Sequence, residues 1–188
     1  LLYAGAYILA GAPKIGKSFL VAQIAYHVST GEALWGYEVH PGTVLYLALE
    51  DDFQRIQSRM FMMYGINDTD RLHFATAAGK IGNGLDEQLE SFVREHPDTR
   101  LIIIDTMQKI REVDGEAYSY ASDYEIIGKL KQFADKHCIC VLTVHHTRKQ
   151  PAGDSFEMIS GTTGLLGCAD GSLLMQKKKR TALEATID

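Results

Sequence analysis

Short apolar runs alternate with amphipathic stretches along the whole chain. The apolar runs have the length and the Gly, Pro or charged boundaries that are typical of buried strands. These predicted strands are residues 7–10, 43–50, 71–76, 101–105 and 140–146. The stretches between them repeat apolar residues at about the 3.6-residue period of a helix. The predicted helices are residues 17–29, 51–64, 86–96, 122–137 and, as a short helix, 161–169.

The alternation of strands and helices predicts an α/β fold. Strands that are apolar throughout and separated by helices indicate a mostly parallel central sheet flanked by helices. Two last segments, residues 172–178 and 182–188, are expected to pair as a C-terminal β-hairpin. Ligands of such sheets bind at the carboxyl ends of the strands. Polar residues at those ends are therefore the first candidates for a functional site.

A glycine-rich segment follows the first predicted strand and opens the first helix. It fits the pattern GxxxxGK[ST] at every fixed position, in the strand–loop–helix context that the pattern requires. Backbone N–H groups of such a loop point at phosphates, and the helix N-terminus adds partial positive charge. Lys17 would reach the β- and γ-phosphates, and the Ser18 hydroxyl would ligate Mg²⁺. The predicted phosphate-binding residues are Gly11, Ala12, Pro13, Lys14, Ile15, Gly16, Lys17 and Ser18, with a solvated position as the alternative for Lys14.

Two carboxylates at strand ends complete the predicted nucleotide site. Asp105 ends the apolar run LIIID and is expected to hold Mg²⁺ through water. Many ATPases place a catalytic Glu after this Asp, but the next residue here is Thr106. Glu50 ends the predicted strand 43–50, so it is the candidate for the residue that activates water. The following residues, Asp51 and Asp52, are predicted to cap a helix N-terminus.

Two histidines end the last predicted strand of the core, at positions 145 and 146. A polar side chain at that point could sense the γ-phosphate, because its hydrogen bond would exist only before hydrolysis. Adjacent strand residues point to opposite faces, so at most one of the two histidines should reach the nucleotide. His146 is the candidate, and a pair of one buried and one solvated histidine is the alternative.

Together these motifs resemble the RecA/DnaB superfamily, in particular RepA-like hexameric replicative helicases and the AAA_25-type ATPases of plasmids and mobile elements. The resemblance covers nearly the whole chain and implies a RecA-like P-loop NTPase core over residues 1–188, with ATP and Mg²⁺ as ligands. It implies that Glu50 is the catalytic glutamate and Asp105 the Walker B aspartate. The segment HHTRK matches the family's phosphate-sensing and DNA-facing motif, and ISGTTGLLGCAD resembles the run before its last strands.

The resemblance also implies a homo-oligomer, a six-membered ring with ATP between neighbouring subunits. A neighbour's arginine or lysine completes each site in such rings. Arg180 is the predicted finger, with Lys178 second, and a solvated basic turn is the alternative for both.

Single-stranded DNA is the partner that such a ring would hold in its central hole. Arg148 and Lys149, in the polar loop after His146, are predicted to contact its phosphates. Lys109 and Arg111 are further candidates, and for each residue an ordinary surface charge is the alternative.

Composition leaves other functions open. The formal net charge of −5 argues against a protein that coats DNA, although six basic loops in one ring would still make a basic channel. A KaiC-like regulatory or remodelling ATPase without DNA translocation is therefore the main alternative. A small-molecule kinase is a second one, but no arginine-rich lid is evident.

The ends of the chain and its cysteines bear on its setting. The first residue is not Met, so the chain is expected to be a fragment of a longer protein. The apolar opening, residues 1–12, is too short to span a membrane. Cys138, Cys140 and Cys168 are expected to be buried, reduced thiols, as in a cytoplasmic protein.

Overall fold

The computed structural model describes residues 2–66, 69–111, 120–147, 167–177 and 184–188. Within these ranges the helices are α1 (Lys17–Thr30), α2 (Phe53–Tyr64), α3 (Leu85–Glu95) and α4 (Tyr120–His137), with a 3₁₀ turn at Met107–Lys109. The strands are β1 (Gly5–Gly11), β2 (Thr43–Ala48), β3 (Leu72–Ala75), β4 (Thr99–Asp105), β5 (Cys140–His146), β6 (Gly171–Gln176) and β7 (Thr186–Ile187). Most of the predicted segment 161–169 lies outside the described residues.

All the described strands belong to one sheet, in the order β3-β2-β4-β5-β1-β6-β7. Neighbouring strands run parallel except β6 and β7, which form an antiparallel pair. The prediction of a mostly parallel sheet with a C-terminal hairpin is thus confirmed.

Two hydrophobic cores cover the two faces of the sheet. Alternate residues of β4 show the division, because successive side chains of a strand point to opposite faces. Leu101 and Ile103 pack into the core beneath α1 and α2, whereas Ile102 and Ile104 pack into the core beneath α3 and α4. Both faces are covered, which explains why this strand reads as an unbroken apolar run.

The end of β2 differs from the prediction. The strand ends at Ala48 rather than at residue 50, because the N–H of Asp51 donates to the carbonyl of Ala48 (3.2 Å) and closes a turn. Glu50 therefore lies in this turn and not on the strand. Helix α2 begins at Phe53, and the side chain of Asp52 caps it by accepting from the N–H of Arg55 (2.8 Å). The capping prediction is correct for Asp52.

The capping prediction is wrong for Asp51. Its carboxylate pairs with Arg59 on the next-but-one turn of α2, at 2.7 Å. Since Asp51 lies before the N-cap, its side chain can reach an arginine along the helix more easily than the first N–H groups.

The cysteines also differ in part from expectation. All three are free thiols, but only Cys140 is buried, and its pKa is raised to about 12 by that burial. Cys138 is exposed, because it occupies a turn with φ 53° between α4 and β5 and not a strand. Across the described residues, none of the helices has the length and apolar character needed to cross a membrane.

Candidate nucleotide-binding site

The site lies at the carboxyl ends of four adjacent strands, β2, β4, β5 and β1. Each strand delivers one candidate side chain. Lys17 follows β1, Glu50 follows β2, Asp105 ends β4, and His146 ends β5. Parallel strands bring their carboxyl ends to the same edge of a sheet, so residues far apart in the sequence meet there.

The phosphate loop, residues 11–18, is shaped by its glycines. Gly16 has φ 108°, in the left-handed region, and directly precedes α1. At Gly11 there is no room for a side chain, because a Cβ would lie 2.7 Å from the carbonyl oxygen of Met175 and 2.6 Å from Cδ1 of Ile15. Lys14 is exposed with φ 64°, so its side chain takes no part in the buried site.

Lys17 is the buried cation of the site, with 5% of its surface exposed. Its Nζ donates to the carbonyls of Gly11 (2.7 Å) and Ala12 (2.8 Å). Burial lowers its pKa to about 8, although Asp105 and Glu50 partly oppose the shift. No carboxylate of the described residues lies within ion-pair distance of Nζ. The ammonium therefore lacks a counterion that a phosphate could supply.

Asp105 is the buried anion of the site, 5% exposed. Burial raises its pKa, and hydrogen bonds from the hydroxyls of Ser18 and Tyr46 partly oppose that shift. The Tyr46 bond is 3.0 Å long, and burial beside Asp105 raises the pKa of Tyr46 well above its ordinary value.

The donor set of Ser18 and Asp105 fits Mg²⁺. This ion commonly binds one or two protein oxygens and takes its other ligands from phosphate and water. Within the described ranges, no group of three or more His, Cys, Asp or Glu side chains could hold a metal by itself. A metal here would thus depend on the phosphates of the nucleotide.

Glu50 is a half-exposed carboxylate, with 42% of its side chain accessible. Its Oε1 accepts a hydrogen bond from Oγ1 of Thr106 at 3.0 Å. Its Oε2 lies 3.7 Å from Nε2 of His146. The turn places Glu50 beside the site even though β2 ends earlier than predicted.

His146 connects Lys17 with Glu50. Its Nδ1 lies 3.2 Å from Nζ of Lys17, which can only donate, so Nδ1 is the acceptor in this contact. Its neighbour His145 is buried. As expected from strand geometry, one histidine faces the phosphate loop and the other lies inside the fold.

The structure adds two residues that the sequence did not single out, Tyr46 and Thr106. Both donate hydroxyl hydrogen bonds to the candidate carboxylates. A tyrosine within an apolar strand was a usable signal, since a buried tyrosine hydroxyl generally has a partner. For Thr106 the signal was its position immediately after Asp105.

A groove of about 540 Å³ adjoins the phosphate loop. Its walls come from α1, the end of α2 and the β6–β7 hairpin, and include Ile15, Phe19, Tyr64 and Met175. Arg59 stacks over the ring of Phe19, 5.3 Å from its centroid. The groove is largely apolar and large enough for a planar base.

The predicted finger and DNA-contacting residues Arg180, Lys178, Arg148 and Lys149 lie outside the described residues. Of the further candidates, Lys109 is exposed. Arg111 instead forms an ion pair with Asp123, with nitrogen–oxygen distances of 2.7 and 2.8 Å, and is 16% exposed. In this structure its guanidinium is committed to α4 and is not available to DNA.

Comparison with known proteins agrees with this geometry. The AAA_25 family, described as an AAA domain, matches residues 2–152. The fold is similar to that of a solved helicase ATPase domain, with a TM-score of 0.65 and 14% identity over 96% of this chain and 73% of that chain. No curated protein sequence gives a significant match. By the family match, which spans most of the residues, the chain belongs to the AAA_25 family of AAA domains, and its fold is that of a RecA-like P-loop ATPase domain.

Proposed function

We propose that the chain is the ATP-hydrolysing motor domain of a ring-forming DNA helicase that acts on single-stranded DNA. The observation that carries the ATPase part is the meeting of Lys17, Asp105, Glu50 and His146 at one edge of the sheet. A cation, a metal-side carboxylate and a second carboxylate around a phosphate loop are the groups that phosphoryl transfer to water requires.

ATP binding follows from the phosphate loop. The triphosphate would take the place of the carbonyls that now accept from Lys17, and the N-terminus of α1 would face its negative charge. The base would lie in the groove beside Phe19 and Tyr64. Mg²⁺, held by Ser18 with Asp105 through water, would supply positive charge to the β- and γ-phosphates.

Hydrolysis is assigned to Glu50. Its carboxylate would orient a water molecule and take its proton as the water oxygen bonds to the γ-phosphorus. The bond from that phosphorus to the β–γ bridging oxygen breaks, and ADP leaves with the electron pair. Lys17 stabilises the negative charge on the transferred group. His146, beside both Lys17 and Glu50, is placed to respond to the presence of the γ-phosphate.

The helicase part rests on the loop after β5 and on the fold. Arg148 and Lys149 follow His146 and Thr147 in the sequence. In a six-membered ring this loop would line the hole, and Arg180 of each subunit would reach its neighbour's nucleotide. The similarity to the solved helicase ATPase domain supports a motor of this architecture. A cytoplasmic location accords with this function.

The test is the ATPase rate of the full-length protein with and without single-stranded DNA. The helicase proposal expects stimulation by DNA, and binding that weakens steeply as salt concentration rises, as phosphate contacts do. The double variant Arg148→Ala/Lys149→Ala should lose both effects. The matched control is Arg94→Ala/Arg100→Ala, which removes two arginines near the amino edge of the sheet.

A KaiC-like regulatory or remodelling ATPase is the second candidate, and the net charge of −5 favours it. It expects ATP hydrolysis that DNA leaves unchanged, with no shift of single-stranded DNA in a gel at low salt. That pair of results would overturn the helicase proposal and leave the ATPase proposal standing.

A further inference from the structure

The two carboxylates of the candidate site are held by a reciprocal exchange of hydroxyl groups between β2 and β4. Tyr46, on β2, donates to Asp105 at the end of β4, at 3.0 Å. Thr106, directly after β4, donates to Glu50 just beyond β2, also at 3.0 Å. Each strand thus carries one carboxylate and the hydroxyl that holds its neighbour's carboxylate.

Thr106 is a rigid donor. It is 1% exposed, and Met107 and Ile110 beside it are fully buried. Its carbonyl accepts from the N–H of Lys109 at 3.0 Å, which fixes the backbone immediately after Asp105. A threonine also has few side-chain conformations available. The position of Oγ1 is therefore set by the core.

Glu50, in contrast, is a mobile type of acceptor. Its backbone is tied to β4 one residue earlier, where the N–H of Leu49 donates to the carbonyl of Asp105 at 2.7 Å. The side chain beyond that point is half exposed and has three rotatable bonds. Among the described residues, Thr106 supplies the hydrogen bond to this carboxylate that lies within normal distance.

We propose that Thr106 is the positioning residue for Glu50. Its hydroxyl occupies Oε1 and so leaves Oε2, on the His146 side, as the oxygen that faces the attacking water. This inference rests on the proposed role of Glu50 as the catalytic base. Thr106 itself touches neither nucleotide nor water. It acts by keeping one carboxylate oxygen in one place, which is where misplacement by about 1 Å costs on the order of a hundredfold in rate.

The alternative is that the Thr106 hydroxyl only satisfies its own hydrogen bond inside the fold. Thr106→Val keeps the shape and removes the donor, so it separates the two roles. A structural role predicts lower thermal stability at an unchanged kcat. A positioning role predicts a lower kcat at nearly unchanged KM for ATP, because ATP binding does not involve Glu50.

The chain offers a matched control at the opposite edge of the same two strands. Thr43, at the start of β2, donates to Oδ1 of Asp98, just before β4, at 2.8 Å. Thr43 is buried as well. Thr43→Val thus removes a threonine–carboxylate bond between the same neighbours, far from the nucleotide site.

The experiment measures kcat, KM and Tm of the full-length protein carrying each variant. We expect Thr106→Val to lower kcat on the order of ten- to a hundredfold with KM within about twofold. Thr106→Ser, which keeps the hydroxyl, should recover most of the rate, and Thr43→Val should leave kcat within about twofold. In a Glu50→Gln background, Thr106→Val should lower kcat no further, because the two residues act as a unit. If the valine variant does not fold, Thr106→Ala takes its place.

The outcomes are distinguishable from failure of the proposed function. If Glu50→Gln hydrolyses ATP at the normal rate, the base assignment and the role of Thr106 are both overturned. If Glu50→Gln is inactive while Thr106→Val has normal kcat, only the positioning role is overturned. Equal losses in the serine and valine variants would also overturn it, since the hydroxyl would then not be the important group.

Discussion

The ammonium of Lys17 lies 3.2 Å from Nδ1 of His146, although 129 positions separate the two residues in the chain. Strand pairing brings them together. β1 and β5 are parallel neighbours, and Gly11 is paired in register with His146. A slip of one residue would turn His146 to the other face of the sheet. The register of two central strands therefore decides which histidine faces the phosphate loop.

ATP affinity should depend on pH through Lys17. Its pKa is lowered to about 8, mainly by burial, and the triphosphate favours the protonated form. Affinity should therefore be level below pH 8 and weaken above it by up to about tenfold per pH unit. The measurement is the Kd of a fluorescent, non-hydrolysable ATP analogue across this range.

The control for that experiment is Lys17→Ala. It should bind ATP weakly, hydrolyse almost none and show no corresponding pH dependence. An affinity of the unaltered protein that stays constant well above pH 8 would contradict the assignment of Lys17 as the buried phosphate-binding cation.

Glu50→Gln should bind ATP normally and hydrolyse it more slowly, by a factor of about 100 to 10,000. Glutamine keeps the size of the side chain and can still accept from Thr106, but it cannot take a proton from water. Single-turnover hydrolysis and analogue binding are measured in parallel. Glu87→Gln, at an exposed position of α3, is the control. Loss of binding in Glu50→Gln would show that the carboxylate supports the site in some other way.

Asp170→Ala should destabilise the fold. Oδ2 of Asp170 accepts from the N–H of Ala6 at 3.0 Å, and Oδ1 is bonded to Lys131 of α4. Removing the acceptor leaves a buried backbone donor without a partner, which costs about 1–3 kcal/mol in the free energy of unfolding. Urea denaturation measures the loss. Asp135→Asn changes only an exposed carboxylate 3.8 Å from Lys131 and should have little effect.

The same carboxylate gives the stability a dependence on acid. Bonds from Lys131 and from the N–H of Ala6 hold the pKa of Asp170 below 3.8. The unfolded chain thus binds this proton more readily, so the stabilisation is present above pH 3.8 and is lost as the pH falls through the lowered pKa. Asp170→Ala should lack this part of the acid transition. An unchanged transition would contradict the contact.

His73 should contribute acid sensitivity in a higher pH range. Burial, and then the neighbouring His96, lower its pKa below 6.5, whereas Asp98 and a backbone bond to Asp70 partly oppose the shift. The unfolded chain binds the proton more tightly, so stability is complete above pH 6.5 and falls below it. His73→Phe should flatten this fall when unfolding is followed at several pH values. If the variant and the unaltered protein lose stability in parallel, another group is responsible.

Periodicity and the phosphate-loop pattern were sufficient to predict the elements and the residues around the nucleotide, because both depend on local sequence. The end of β2 was wrong since the segment LALEDDF contains no Gly or Pro to mark its turn. That turn depends on the hydrogen bond from Asp51 to Ala48.

Contacts between strands were harder to predict. Tyr46 meets Asp105, and Thr106 meets Glu50, only because β2 lies beside β4 in one register. A single sequence gives no information on which strands are neighbours. For the same reason, the ion pair that engages Arg111 with Asp123 of α4 was not foreseen.

The crowding at Gly11 has a practical consequence for anyone who shortens or transplants this domain. The carbonyl of Met175 fills the space beside the first glycine of the phosphate loop, so the loop takes part of its shape from the other end of the polypeptide. A version trimmed before β6 would keep every residue of the nucleotide-binding motif and lose one wall of its mould.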